Sequence, residues 1–185
     1  MNARQALEAL LPLLDDEPAV FATGYIARTA QAVRRRPQDF HMIGSMGMVS
    51  SLATGVALGR PGRKVIAVDG DGAVLMNLGA LPTAGALRVS DLVHVCLDNE
   101  SYESTGAQAS YSAAVALESV AAASGYRSAV RVTDADSLRR EFGRALTSEG
   151  PSFLLVKVSL DDGPAAPRIE AAPERITADF KAALR

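Results

Sequence analysis

Cysteine occurs once in this chain, no apolar run approaches the roughly 20 residues that span a bilayer, and neither sign of charge predominates. Each shortage excludes something. A lone Cys96 inside the apolar run 95–97 rules out a disulfide framework and reads as a buried structural thiol. No segment has the length of a membrane span, and Met1-Asn2-Ala3-Arg4 lacks the apolar core of a signal peptide, so no membrane association and a cytoplasmic location are expected. A formal net charge of −2 provides no general attraction to nucleic acid or anionic lipid. The basic run Arg34-Arg35-Arg36 is accordingly expected to be a solvated helix end.

What is present suits one globular domain: 185 residues, 48% hydrophobic and 22% charged, enough for a single α/β core and too few for two. Apolar runs at 20–23, 40–43, 65–68, 93–97, 130–132 and 153–158 read as buried parallel strands. Helical segments at 25–35, 47–58, 75–88, 112–124 and 137–148 separate them, with Gly59-Arg60-Pro61-Gly62 and Gly150-Pro151 as stops. The alternation predicts an α/β fold, a doubly wound, mainly parallel six-stranded sheet with helices on both faces. A further helix at 3–14 precedes it. The domain is expected to fill 1–160, followed at 161–185 by a Pro/Ala-rich linker and an amphipathic tail that either packs on a partner or stays mobile.

Two of the apolar runs end in oxygen-rich residues. The run at 65–68 stops at Asp69-Gly70-Asp71-Gly72, the run at 93–97 stops at Asp98-Asn99, and one helix length lies between them. A βαβ unit brings both ends to one edge of the sheet, so Asp71 and Asn99 can meet. Mg²⁺ prefers oxygen donors and commonly keeps places for water and substrate phosphates. A carboxylate, an amide oxygen and a main-chain carbonyl would leave such places free, which points to a diphosphate clamp. Gly70 and Gly72 permit close backbone approach, and the following helix start offers free N–H groups. A Gly/Asp-rich strand-to-helix turn explains such a triplet on its own equally well; the second motif, at matching depth, favours the metal.

Gly70-Asp71-Gly72 followed by Asp98-Asn99 resembles the thiamine-diphosphate motif. With Ile43-Gly44-Ser45-Met46-Gly47, Leu75-Met76-Asn77-Leu78-Gly79 and the stretch from Leu97 to Gln108, the chain is similar over about 20–158 to sulfopyruvate decarboxylase β subunits and the C-terminal half of phosphonopyruvate decarboxylases. The resemblance implies thiamine diphosphate and Mg²⁺ as cofactors, with Asp71, the Asn99 side chain and the Ser101 carbonyl as metal ligands. It implies further cofactor contacts from Thr23, Gly24, Gly44, Ser45, Met46, Gly47, Gly70, Gly72, Ala73 and Tyr102. Met46 would be the apolar fulcrum that bends the cofactor, and the Gly44 carbonyl would accept a hydrogen bond from its pyrimidine amino group. His41, Ser104, Thr105 and Gln108 are candidates to bind the anionic head of a small 2-oxo acid, although 104–108 reads equally as a polar loop. His41 can equally be a satisfied core histidine, and His94 reads as structural. Three positions depart from the family pattern: Asp98 stands for an Asn, Ala73 for a Ser, and Met48 for a His that phosphonopyruvate decarboxylases tend to carry.

In that family the glutamate that activates the cofactor lies on a separate pyrimidine-binding domain, which nothing before residue 20 can encode. The expectation is therefore the diphosphate-binding β subunit of a thiamine-diphosphate-dependent carboxy-lyase acting on sulfopyruvate, phosphonopyruvate or a similar 2-oxo acid. It would be inactive alone, with no certain catalytic residue of its own, and assembled as an α₂β₂ heterotetramer with an α subunit that supplies the Glu. Two other readings stay open: a carboligase (acyloin/acetolactate-type) subunit of a specialised pathway, and a non-catalytic diphosphate-binding module.

Overall fold

A computed structural model describes residues 1–160 and 163–185. The strands are β1 (Ala19–Phe21), β2 (Asp39–His41), β3 (Val65–Gly70), β4 (Leu92–Asp98), β5 (Ser101–Tyr102), β6 (Gln108–Ala109), β7 (Ser128–Val132) and β8 (Ser152–Lys157). Six of them form one sheet in the order β2-β1-β3-β4-β8-β7, every pairing parallel. β5 and β6 make a small antiparallel hairpin apart from it. The helices are α1 (Ala3–Leu10), α2 (Tyr25–Val33), α3 (Val49–Gly59), α4 (Asp71–Met76), α5 (Ala80–Ala86), α6 (Leu117–Ala123), α7 (Ala135–Thr147) and α8 (Pro173–Ala183).

The inner strands are mostly apolar because both faces are covered, with Asp69, His94 and Asp98 the buried polar residues of β3 and β4. Ile66, Val68, Val93, Val95 and Leu154 pack with Leu7 and Leu10 of α1, Ala27 and Ala30 of α2, and Leu138 and Phe142 of α7. Their alternates Val65, Ala67, Leu92, Cys96 and Phe153 pack with Ala53 of α3, Leu81 of α5, Leu117 of α6 and Phe180 of α8. Cys96 is fully buried.

Several local expectations need correction. The single helix expected at 75–88 is broken into α4 and α5. Pro82 in the first turn of α5 lacks the N–H that a continuous helix would use, and Asn77 ends α4 by donating its side-chain amide to the Gly47 carbonyl at 2.9 Å. The segment expected to be helical from 112 is a 3₁₀ turn at Tyr111–Ala113, and α6 begins only at Leu117. The Arg34-Arg35-Arg36 run is not a solvated helix end. Arg36 reaches Asp39 at 2.7 Å and the carbonyls of Asp15 and Glu17, while Arg34 bonds the Leu14 carbonyl, so two of the three arginines tie the chain together around β1 and β2.

The ends of the chain belong to the sheet. α1 is anchored by a reciprocal Asn2–Gln5 capping box and buries its apolar face in the core. The tail helix α8 lays Phe180 edge-on against Phe40 of β2, with ring centroids 5.2 Å apart. Asp161 and Asp162 of the expected linker lie outside the described residues.

Two predictions follow from packing. A Cβ on Gly85 would overlap the Ser124 carbonyl oxygen, because α5 meets the end of α6 backbone to backbone. Gly85→Ala should therefore lose about 1–3 kcal/mol, read as a lower urea midpoint, whereas Gly55→Ala, in open space on α3, should gain about 0.4–1 kcal/mol. The second concerns His41, which is buried, stacked on Phe21 at 5.1 Å, and held below the usual histidine pKa chiefly by burial. A depressed histidine pKa means that the unfolded chain takes up the proton first. The resulting stability is complete above the unfolded value near ~6.5 and is lost as pH falls through the folded one. Urea midpoints at pH 8 and pH 5 should show that loss in the wild type and a smaller one in His41→Phe.

Candidate cofactor and metal site

Strand order reverses at β1: the chain runs from β1 to β2 on one side, and β3 and β4 lie on the other. At such a reversal an open parallel sheet leaves a crevice beyond its carboxyl ends, and a pocket lies there. It is lined by Thr23 and Tyr25 after β1, Gly70 to Ala73 after β3, and Asn99 and Ser101 to Thr105 after β4. Met46 closes one side, and residues 163–166 pass along another.

Asp71 is the buried acid of this pocket, 2% exposed. The Ser110 and Ser112 hydroxyls both donate to its Oδ2, Ser112 at 3.1 Å, so no side-chain donor among the described residues occupies Oδ1. Burial pushes the Asp71 pKa upward, the serine bonds pull it back, and the nearby Asp98 charge raises it again. Asp98 is itself buried and well paired. It accepts from Ser112 Oγ at 2.7 Å, from the Glu100 N–H at 3.0 Å and from Lys157 Nζ at 2.9 Å. Behind them, fully buried Asp69 accepts from the Gly70 N–H and lies 3.5 Å from His94 Nε2. Burial first, then the fields of Asp69, Asp71 and Asp98, hold the Cys96 thiol well above its usual pKa. The floor of the site is therefore strongly negative.

Asn99 and Ser101 reach the same pocket by a tight reversal. Glu100 is left-handed at φ +58°, and Asn99 Oδ1 accepts the Ser101 N–H at 3.0 Å while its amide donates to Glu103 at 2.9 Å. Those two bonds fix which face of the amide carries oxygen. At Gly72 a Cβ would run into the Tyr102 ring. The loop bearing Met46 is tied to the helix bearing Asp71. A Cβ added to Gly47, at φ +87°, would lie 3.3 Å from the Ala73 carbonyl oxygen, and the Gly47 carbonyl receives the Asn77 amide.

Not every expected residue joins this pocket. Gly44 and Ser45 lie in the exposed part of the Met46 loop, with Ser45 left-handed at φ +56°. Gly24 faces a neighbouring cleft against Ser104. Gln108 folds back on Thr105 in the exposed hairpin, its Oε1 accepting from the Thr105 hydroxyl and its amide donating to the Thr105 main-chain carbonyl. His41 is on the β2 side, in a cleft with Arg175 and Asp179 of α8. His94 is fully buried between Asp69 and Tyr126. Ser110, Ser112 and Lys157 were not singled out from sequence. Lys157 did carry a signal, a lone cation ending an apolar strand, and it stands opposite Asp98 in the β4–β8 register.

The donors fit a hard cation. No group of three His, Cys, Asp or Glu is gathered to hold a metal among the described residues, so an ion here would rest on one carboxylate, amide and main-chain oxygens, and oxygens of its ligand. A single acid with water and phosphate completing the shell is the usual Mg²⁺ pattern.

Comparison with known proteins shows the family of the chain. Residues 22–156 match the family described as thiamine pyrophosphate enzyme, C-terminal TPP binding domain, TPP being the same compound as thiamine diphosphate. The chain is 41% identical over 96% of its length to a phosphonopyruvate decarboxylase of Streptomyces viridochromogenes, of which it spans 45%. It is 40% identical over 83% of its length to a sulfopyruvate decarboxylase subunit beta of Methanothermobacter thermautotrophicus, of which it spans 80%. Among solved structures, a putative thiamin diphosphate-dependent enzyme from Mycobacterium smegmatis has a TM-score of 0.73 at 25% identity, over 87% of this chain and 32% of that one. No described helix is long and apolar enough to cross a membrane. The match runs from just after β1 into β8 and includes Asp71 and Asn99, and the chain belongs to the thiamine pyrophosphate enzyme family as a TPP-binding domain.

Proposed function

We propose that this chain is the diphosphate-binding subunit of a thiamine-diphosphate-dependent 2-oxo acid decarboxylase, acting on sulfopyruvate, phosphonopyruvate or a close relative. The observation that carries the proposal is the buried Asp71 carboxylate facing a pocket shared with Asn99 and Ser101. Support for the reaction class comes from relatives named as decarboxylases, including two subunit beta proteins of which this chain spans 80% and 96%. In this reading Asp71, Asn99 Oδ1 and the Ser101 carbonyl hold Mg²⁺, and the cation offsets the cost of burying the carboxylate. Thr23 and the Gly70–Ala73 turn, which line the pocket, would hold the diphosphate, and Met46 would support the rings. When bound, thiamine diphosphate supplies an electron sink that lets a 2-oxo acid release carbon dioxide. Ser104 and Thr105 at the pocket rim, and Gln108 beside them, orient the acid; the Gly44 carbonyl lies on the loop that accepts the aminopyrimidine.

The activating glutamate belongs to a pyrimidine-binding α subunit, and two chains of each kind form the assembly. Ile43, Met46, Met48 and Met76 support that partner: all four are exposed, and Met76 adjoins the loop at Gly47. Large apolar side chains gathered this way are a usual feature of protein interfaces. The reading keeps the complex in the cytoplasm, where a single buried thiol needs no oxidant.

Two experiments test the proposal. Calorimetric titration of the complex with thiamine diphosphate should show binding that requires Mg²⁺ and is lost in Asp71→Asn. The unliganded Asp71→Asn chain should melt at or above the wild-type temperature, because a costly buried charge is gone. Cofactor binding that ignores both Mg²⁺ and the substitution would refute the metal site. In the second, this chain copurified with its partner should release carbon dioxide and an aldehyde from the 2-oxo acid, and neither chain should do so alone. An acyloin product would indicate a carboligase instead.

A further inference from the structure

The segment that follows β8 carries Arg168 to a second cleft beside the cofactor pocket. Thr23, Tyr25 and Ser104 line both cavities, and the second adds Arg28 and Arg168. Among the described residues no acidic side chain lines this cleft, whereas Asp71 and Glu103 line its neighbour. Arg28 is held in place: its Nε donates to the Ala166 carbonyl at 2.6 Å, and its guanidinium lies 5.1 Å over the Tyr25 ring. That anchoring uses one donor of the fork. Among the described residues neither Arg28 nor Arg168 pairs with a carboxylate.

Two guanidinium groups without an acid repel each other, and an oxyanion between them removes that repulsion. Arginine forks match the oxygens of a tetrahedral anion. The hydroxyls of Thr23 and Ser104 and the first-turn N–H groups of α2 add donors of the same sense. Gly24 is part of this fit: at φ +85° it brings Ser104 so near that an added Cβ would lie 3.0 Å from Oγ.

We infer that the Arg28–Arg168 cleft is the subsite for the tetrahedral oxyanion on the far end of the substrate, the sulfonate or phosphonate of a 3-substituted 2-oxo acid. This rests on the decarboxylase reading and names the substrate class of the same site. The shared rim at Thr23, Tyr25 and Ser104 lets one short molecule reach both cavities. A terminal phosphate of the cofactor offers similar oxyanion chemistry, so the test separates the two sources.

The complex with its partner is prepared as wild type, Arg168→Ala and Arg168→Lys. Calorimetry gives the Kd for thiamine diphosphate with Mg²⁺, and steady-state kinetics give KM for sulfopyruvate and phosphonopyruvate. In parallel, the full chain is titrated with inorganic phosphate while arginine Nε–Hε signals are followed by NMR. The expected result for Arg168→Ala is a KM raised roughly tenfold or more, with the cofactor Kd within about twofold of wild type and partial recovery in Arg168→Lys. Phosphate should move the Arg28 and Arg168 signals. A loss that falls on the cofactor Kd instead, or an unchanged KM, overturns the assignment to substrate. A wild-type complex that turns over neither acid while its arginines still answer phosphate refutes the decarboxylase reading and keeps the oxyanion cleft. A titration that leaves both arginines unmoved refutes the cleft whatever the activity.

Discussion

A carboxylate taken out of water at the end of a parallel sheet must be compensated, and the site is built around that requirement at Asp71. Two serine hydroxyls, from a 3₁₀ turn nearly forty residues further along the chain, supply part of the compensation. They reach Asp71 because the β5–β6 hairpin returns the chain to the strand ends, where the Ser110 N–H bonds the Glu100 carbonyl. Ser112 also bridges to Asp98, whose charge is met by Lys157 on the adjacent strand. Asp98 is thus neutralised from within the protein, while Asp71 has hydroxyls only. The asymmetry leaves Asp71 as the acid in need of a cation.

Charge is divided along the carboxyl edge of the sheet. Asp69 and Asp71 make the floor beyond β3 and β4 acidic, with Asp98 met by Lys157, whereas Arg28 and Arg168 line the cleft beyond β1. A ligand carrying both a metal-bound diphosphate and an anionic acid in close company needs this kind of separation, since like charges crowded at one place would repel. Met46 stands at the boundary, fixed through Gly47 and Asn77 to the helix that bears Asp71.

Strand positions were legible because a parallel sheet covered on both faces needs uninterrupted apolar runs, as at Ile66, Val68, Val93 and Val95. Asp71, Asn99 and Ser101 were legible because they follow those runs immediately. Helix continuity was harder to read: residues 75–88 have the composition of one helix, and the break at Asn77 depends on its bond to Gly47 thirty residues earlier. Ser110 and Ser112 look like ordinary loop serines until the hairpin folds back. The Tyr102 ring that leaves no room for a Cβ at Gly72 comes from another strand end, so spacing alone does not show it.

By itself the sequence determined the alternation of strands and helices, the burial of Cys96, and the presence of a carboxylate and an amide at successive strand ends, since all of these depend on composition and spacing within a few residues. Tertiary structure alone decided that Asp98 is paired to Lys157, that Asp71 is held by serines, that His41 faces α8, and that Arg28 and Arg168 share one cleft. Those facts depend on contacts between residues 40 to 140 positions apart, and only the folded sheet sets such distances.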